Sequence, residues 1–509
     1  MFGKVQSAAI TGIESHMVSV EADVSDGLPG FSMVGYLASE VREAQDRVRT
    51  ALRNSGYRLQ PRKITVNLAP GDIRKCGTGF DLPIAVAVMA AYGYIPQELL
   101  NGIFFAGELS LDGSIQRIHG VLGMVMEAKK SGCQACIVPQ KNAAEAAAVG
   151  GIEVYGVKDL QELMGHLICG REIKKVAINI EEKFQKEVCH TGLDFADIHG
   201  QKLVKRAAEI AAGGMHNLLI SGPPGSGKSM TAKCIPSILP LLTLEESLEV
   251  SRIHSVAGTL PEDGILTSRP FRMPHHTVSA SALAGGGMVP HPGEISLAHR
   301  GILYLDELPE FQKETLEILR QPLEEAAIHI SRSSGNYVFP ADFMLVASRN
   351  PCKCGYYPNR SRCHCREDDV KRYLSRISRP LLDRIDLHVQ SEEVRYQDLV
   401  NETKEECSAD IRQRVELAHK RQQYRYRKAA WRFNSEIPAS VLEEYCGFGK
   451  AEKERMAYLF EKKHMTARAF HRMLRVARTI ADIDGAEKVK VSHLDEAFLY
   501  RPDELLERR

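Results

Sequence analysis

Asn217-Leu-Leu-Ile-Ser221 leads directly into Gly222-Pro-Pro-Gly-Ser-Gly-Lys-Ser229, an apolar run entering a glycine-rich turn that ends on a lysine and a hydroxyl. The run predicts a buried strand, and the residues after Ser229 carry a short helical pattern that has to stop near Pro236. Strand, glycine loop and helix form the context that a phosphate-binding loop needs. The glycines let the backbone wrap close enough for its N–H groups to point at phosphate oxygens, and the helix N-terminus adds the positive end of its dipole. Lys228 supplies a point charge for the terminal phosphates and Ser229 offers a hydroxyl to Mg²⁺. Pro223, Pro224, Gly225, Ser226, Gly227 and Met230 complete the nucleotide-contacting stretch.

Downstream, Gly301-Ile-Leu-Tyr-Leu-Asp-Glu307 reads as a buried strand that delivers two carboxylates at its C-terminal end, the edge at which open α/β sheets bind ligands. Taken alone, an apolar run ending in Asp-Glu is equally a plain strand end. Together with the phosphate loop it assigns Asp306 to the Mg²⁺ shell and Glu307 to the attacking water. That pairing suits a hydrolase better than a kinase, because no second substrate is required. ATP and Mg²⁺ are the cofactors implied.

The chain around this centre has 509 residues, 44% hydrophobic and 26% charged, enough for about three domains. Lys and Arg number 66 against 65 Asp and Glu, a formal charge of +1, so any surface for nucleic acid must be a local patch. The longest apolar stretches, such as residues 84–91, fall short of the roughly 18 residues of a membrane span, and Met1-Phe2-Gly3-Lys4 opens no signal peptide. A soluble cytoplasmic protein with no membrane partner is expected.

Residues 1–168 alternate strands such as Lys63-Ile-Thr-Val-Asn67 and Ala135-Cys-Ile-Val138 with helices. In the clearest helix Val41, Ala44, Val48, Ala51 and Leu52 recur at helical spacing, with Ser39 as its expected cap and Gly56 past its end. Residues 169–190 are polar and read as a linker. Residues 191–395 alternate apolar strands, glycine-rich loops and helices, which predicts a mainly parallel sheet covered by helices. Residues 396–509 are helical in pattern, the last helix starting at Ser492 with Asp495 as its capping-box partner and stopping at Pro502.

Of twelve cysteines, four crowd into Cys352-Lys-Cys354 and Cys363-His-Cys365. In a reducing compartment two C-x-C pairs either close a tetrahedral Zn²⁺ site or stay free thiols.

Residues from about 190 onward resemble the magnesium-chelatase-related AAA+ ATPases, and the whole chain resembles the ComM/YifB family. The resemblance rests on Gly200-Gln201, the stretch 222–229, Arg269-Pro-Phe-Arg-Met-Pro-His-His276, Pro292-Gly-Glu-Ile-Ser-Leu-Ala298, Leu305-Asp-Glu307, Arg349-Asn-Pro-Cys352 and Pro380-Leu-Leu-Asp-Arg-Ile-Asp386. It implies an AAA+ P-loop core with a C-terminal helical lid, working as a homo-oligomer, a hexameric ring, on DNA in natural transformation. It also implies a second tier of groups. Asn350 matches sensor 1, Arg384 matches the arginine finger that reaches a neighbouring subunit, and Arg468 or Arg475 fits sensor 2 on the lid helix. Comparable paired cysteines occur in the family, although Lys353 and His364 depart from its pattern.

Residues 62–140 resemble the Lon-protease-like domain of the ribosomal-S5 superfamily through Gly77-Thr-Gly79, Gly107-Glu-Leu-Ser-Leu-Asp-Gly113 and the stretch from Gly120 to Gly132. A Ser-Lys dyad needs a hydroxyl beside a lysine, but Gly79 and Leu122 occupy those positions, so a binding or ring-organising platform is expected and not a protease. Relatives of this domain in recombination proteins engage DNA.

Two segments read as projections toward a polymer substrate, or as packing loops between subunits. One is residues 269–300, too glycine-rich and polar for core, the family's helix-2 insert. The other is a hairpin from Ala327-Ile-His-Ile-Ser-Arg332 through Ser334-Gly335 to Tyr337-Val-Phe339. Arg412, Arg414, Lys420, Arg421, Arg425, Arg427, Lys428 and Arg432, interleaved with Tyr424, Tyr426, Trp431 and Phe433, form either a nucleic-acid surface or a solvated helix face. Arg42, Arg49, Arg53, Arg58, Arg62 and Lys63 pose the same choice. The leading expectation is a DNA translocase or branch-migration helicase; the alternative is an ATPase that remodels a protein partner.

Overall fold

The computed structural model describes residues 1–186, 192–332, 335–393, 405–462 and 465–501. Ser334 and Pro502, both named in the sequence reading, lie outside the described residues.

Two sheets organise the chain. The first contains β1 (Phe2–Thr11), β2 (Glu14–Ser25), β3 (Gly30–Val34), β4 (Lys63–Ala69), β5 (Ile103–Phe105), β6 (Ala135–Pro139) and β7 (Glu153–Val157), in the order β3-β4-β2-β1-β5-β6-β7. Along β2 every second residue from Val18 to Val24 is buried, the period of two that a sheet with one covered face imposes. Helix α1 (Ala44–Asn54) buries Ala44, Val48, Ala51 and Leu52 as expected, yet Ser39 is not its cap. A separate turn, Ser39–Arg42, precedes it with Ala38 at the cap position, because the Ala38 amide is bound at 2.9 Å by the Lys75 carbonyl. Helix α2 (Asp81–Ala91) is buried on all sides. Its one charge, Asp81, is paired with Arg47 of α1 at 2.7 and 2.9 Å, as a buried carboxylate requires.

The second sheet is parallel throughout: β8 (Leu218–Ser221), β9 (Phe271–Arg272), β10 (Ile302–Leu305), β13 (Met344–Arg349) and β14 (Leu387–Gln390), in the order β9-β10-β13-β8-β14. Strands β10 and β13 are buried at every position, as strands covered on both faces are. Between them β11 (Ala327–Arg332) and β12 (Gly335–Pro340) form the expected hairpin, pairing Ala327 with Pro340 through Arg332 with Gly335. The expectation that residues 269–300 stay out of the core fails at Leu283 and again from Ile295 onward, and holds at the exposed tip around Met288. Met288 is 91% exposed, but Ile295, Ser296, Leu297 and His299 are buried, and Arg269 bonds the Pro240 and Arg300 carbonyls and Glu246. The apolar pattern of Ile295 and Leu297 outweighs the glycine content near Gly285.

The two sheet units meet through a buried carboxylate. Glu145 accepts from the Leu122 amide of α3 (Val121–Lys130) at 2.9 Å, from Asn142 Nδ2 at 2.9 Å and from the Ser255 hydroxyl of α6 (Leu244–Val256) across the junction. Leu122, at the position of the missing lysine, packs there with Ala148 and Ile265.

Helices α7 (Ser408–Tyr426), α8 (Ala467–Ile483) and α9 (Val491–Leu499) dominate the C-terminal region. Much of its basic and aromatic stretch is structural. Arg425 and Arg478 bind the fully buried Asp482, Arg414 binds Glu406 and Glu209 of α4 (Lys202–Gly214), Arg421 binds the Asp482 carbonyl, and Tyr426 and Phe433 are core. What remains at the surface is Lys420, Lys428, Arg432, which lies 3.7 Å from Glu246, and Arg427, which lies 4.3 Å over the ring of the 72% exposed Tyr424. Around α1, Arg42, Arg49, Arg53 and Arg58 are exposed and Arg62 pairs with Asp26. Helix α9 starts one residue before Ser492. His493 Nδ1 accepts the Lys490 amide at 3.0 Å, while Asp495, expected to cap, is taken by Arg455 at 2.7 Å.

Candidate nucleotide site

Strands β10, β13 and β8 lie side by side and end together, Ser221 in register with Arg349 and Leu305 with Ala347. The residues that leave them, 222–229, Asp306-Glu307 and Asn350, therefore emerge at one edge of the sheet although they are far apart in sequence. Gly225 and Gly227 hold φ of +76° and +85°, where glycine alone is unstrained, and the turn feeds α5 (Lys228–Ile238). The turn is anchored to the residue just past β14: Ser226 Oγ lies 2.6 Å from Ser391 Oγ, and a side chain at Gly222 would strike the Ser391 carbonyl at 2.6 Å.

Lys228 is buried and its ammonium donates to the Gly222 carbonyl at 2.9 Å, the Pro223 carbonyl at 2.7 Å and Asn350 Oδ1 at 3.1 Å. Burial holds this lysine below its ordinary pKa against the pull of Asp306 and Glu307. Ser229 Oγ donates to Asp306 Oδ2 at 2.9 Å. The other Asp306 oxygen accepts from the Ser348 hydroxyl and, at 3.1 Å, from the Glu307 amide. Burial would raise the Asp306 carboxyl, but the bonds from Ser348 and Ser229 outweigh it and hold the group below the usual carboxylate range. A hydroxyl and an ionised carboxylate oxygen in contact are a donor set suited to Mg²⁺, a hard cation that takes oxygen ligands. Glu307 is exposed, adopts a left-handed φ of 53°, and has its amide fixed at 3.1 Å by Ser348 Oγ. Pro223, Pro224 and Gly225 lie in the turn and Met230 in the first turn of α5.

The arginines divide. Arg384 is folded onto its own chain, donating to the Pro380 carbonyl at 2.6 Å and to the exposed Glu324. Arg468 is exposed near the start of α8. Arg475 is drawn inward, Nε on the Ile437 carbonyl at 2.8 Å, and burial lowers its pKa against the pull of Asp386. Arg472, not singled out in the sequence, lies on the same helical face and donates to the carbonyls of Leu382 and Ile385, tying the lid to the segment that carries Arg384. Ser348 also escaped sequence reading; its one signal is a place two residues before Asn350, hence on the same face of the strand.

Cys352, Cys354, Cys363 and Cys365 come together, their sulfurs all within 4.8 Å of one another. Lys353 and His364 are exposed and do not belong to the group.

The profile described as "Magnesium chelatase, subunit ChlI" matches residues 194–399, "Subunit ChlI of Mg-chelatase" matches 20–142, and "Magnesium chelatase, subunit ChlI C-terminal" matches 405–501. Competence protein ComM of Haemophilus influenzae is 38% identical over 98% of this chain and 97% of its own length, and YifB of Escherichia coli 40% identical over 98% and 96%. Lon protease 2 of Bacillus subtilis is 29% identical over 28% of this chain and 26% of its own. The chain belongs to the magnesium-chelatase-type AAA+ family, in the group that includes ComM and YifB. Its fold is the α/β AAA+ core with a helical C-terminal region and Lon-like similarity at the N-terminus. No helix among the described residues is long and apolar enough to cross a membrane.

Proposed function

We propose that the chain is an ATP-hydrolysing ring motor that acts on DNA, a translocase or branch-migration helicase of the ComM type. The observation that carries the reading is the contact of Lys228, Ser229, Asp306 and Asn350 at one sheet edge, with Glu307 beside them. In this reading Lys228 and the turn amides hold the phosphates of ATP. Ser229 and Asp306 hold Mg²⁺, which when bound offsets phosphate charge. Glu307 orients the attacking water and takes up its proton, and the Asn350 amide helps place that water. Arg384, released from Glu324, reaches the terminal phosphate of a neighbouring copy, so the working form is a homo-oligomer, a hexameric ring; such fingers are worth about 10³ to 10⁵ in turnover. Arg468, exposed on the lid, is favoured over the inward Arg475 as sensor 2. Zn²⁺ in the cysteine cluster is the third cofactor. Residues 1–168 serve as platform, 169–190 as linker, 191–395 as motor and 396–509 as lid, in the cytoplasm and, as the name of ComM suggests, in natural transformation.

DNA is favoured over a protein substrate by the exposed cations Arg42, Arg49, Arg53 and Arg58 on the N-terminal unit and by Lys420, Tyr424 and Arg427 on the lid. The test is the ATPase rate with and without single-stranded and forked DNA, with Glu307→Gln as control. Stimulation by DNA that vanishes in the variant supports the motor. A rate indifferent to DNA but raised by a protein partner transfers the reading to the remodelling ATPase.

A further inference from the structure

The loop that follows Asn350 touches the nucleotide site at two points. Cys352 stands two residues beyond Asn350, the side chain that accepts from Lys228 at 3.1 Å. Just past the first C-x-C pair, Gly355, at φ +88°, backs onto the phosphate turn: a Cβ added there would lie 2.4 and 2.5 Å from Cδ and Cγ of Pro224. Exposed arginines also tie this loop, Arg360 to the Cys365 carbonyl and Glu367, and Arg362 to Glu393. No helix or strand runs between Arg349 and Glu367, and the local core is only Cys352, Cys363 and Val370 with half-buried Tyr356, Tyr357 and Leu374 about it.

The sulfurs fit a metal. Cys352 lies 3.3 Å from Cys354 and 3.7 Å from Cys363, and Cys354 lies 3.5 Å from Cys363. A tetrahedron with Zn–S bonds of about 2.3 Å has edges of about 3.8 Å. The Tyr357 amide points at Cys352 Sγ from 3.4 Å and the Gly355 amide donates to the Cys352 carbonyl at 3.0 Å, so the turn around the first pair presents its sulfur with a donor in place for a thiolate.

From these contacts we infer that Zn²⁺ bound by Cys352, Cys354, Cys363 and Cys365 is a brace of the nucleotide site. It fixes the loop that sets Asn350 on one side and supports Pro224 on the other, so that metal occupancy governs nucleotide affinity. The inference rests on the ATP-site reading. Asn350 and Gly355 act here as positioning residues, and the metal takes no part in phosphate chemistry.

Zinc content by atomic spectrometry and the Kd of a fluorescent ATP analogue are measured on the full chain, on chain stripped by a zinc chelator and then reloaded, and on Gly355→Ala. One zinc per chain is expected. Stripping weakens nucleotide binding by roughly tenfold, the scale of one lost contact, and reloading restores it. Gly355→Ala keeps its zinc and weakens binding comparably, since the added methyl presses on Pro224 while all four thiols remain; if stripping unfolds the chain, this variant decides. A chain purified without zinc, or unchanged affinity in Gly355→Ala, overturns the brace. Zinc-loaded wild type that binds no nucleotide overturns the ATP-site reading itself, and the brace falls with it.

Discussion

Glu307 carries the clearest sign of a residue kept for its chemistry. Its φ of 53° costs a non-glycine residue about 1 kcal/mol, and its side chain is exposed at the sheet edge. The backbone is retained there by the 3.1 Å bond from its amide to Ser348 Oγ, which leaves the carboxylate free to face a water. Glu307→Gly should therefore raise the unfolding free energy by a few tenths to about 1 kcal/mol in denaturant melts while abolishing hydrolysis. A variant that is clearly less stable would show that the side chain supports the fold.

Among the elements, α8 has the tightest constraint. Asp482 is fully buried and accepts from Arg478 at 2.8 Å, from Arg425 at 2.8 and 2.5 Å and from Asn434 at 2.9 Å, so its carboxylate holds α7, α8 and the connection between them. Asp482→Ala leaves the buried Arg478 guanidinium without its carboxylate beside the half-buried Arg425 and should cost about 3–5 kcal/mol; a loss below 1 kcal/mol in chemical denaturation would contradict this. Helix α7 also carries a pH dependence. Burial lowers the His419 pKa to about 4 although its ring bonds the Ala212 carbonyl at 2.8 Å, and burial lowers that of His254 on α6 to about 4 as well. Unfolded histidine titrates near 6.5, so below that pH the unfolded chain binds more protons and stability is lost as pH falls from about 6.5 through 4. His419→Gln, which keeps a donor for Ala212, should flatten part of that slope in thermal melts; an unchanged slope would remove His419 from the account.

These elements also show what the sequence reveals. The phosphate turn and Asp306-Glu307 were legible because each is a local pattern: glycines where φ must be positive, and carboxylates where an apolar run stops. The hairpin at 327–340 was legible from alternation and a glycine turn. Ser348, Ser391 and Arg472 were not, because their partners lie 42, 165 and 87 residues away and nothing local marks a serine that braces Asp306 or an arginine that caps loop carbonyls. The basic-aromatic stretch was misleading for the same reason: Arg425 next to Tyr426 reads as surface until Asp482 is placed beside it.

At the scale of the whole molecule, one copy brings Ser229 onto Asp306 beside Lys228 and Glu307, but its Arg384 is bound to Glu324. In the proposed ring a neighbour would complete the site, which makes a specific demand on mixtures. Glu307→Gln and Arg384→Ala chains, each inactive alone, should regain a fraction of the wild-type ATPase rate when mixed, because some intact sites then adjoin intact fingers. No recovery from mixed rings verified by mass would place Arg384 in its own subunit's structure instead.

The most direct measurement of the central claim compares ATP binding and steady-state ATP hydrolysis of wild type and Glu307→Gln at equal protein concentration. Equal binding with a turnover lowered at least about 100-fold is the predicted result, since the substitution removes only the group that activates water. Wild-type protein that fails to hydrolyse ATP, or a variant that hydrolyses it at the wild-type rate, would contradict the assignment of Lys228, Ser229, Asp306 and Glu307 to one catalytic site.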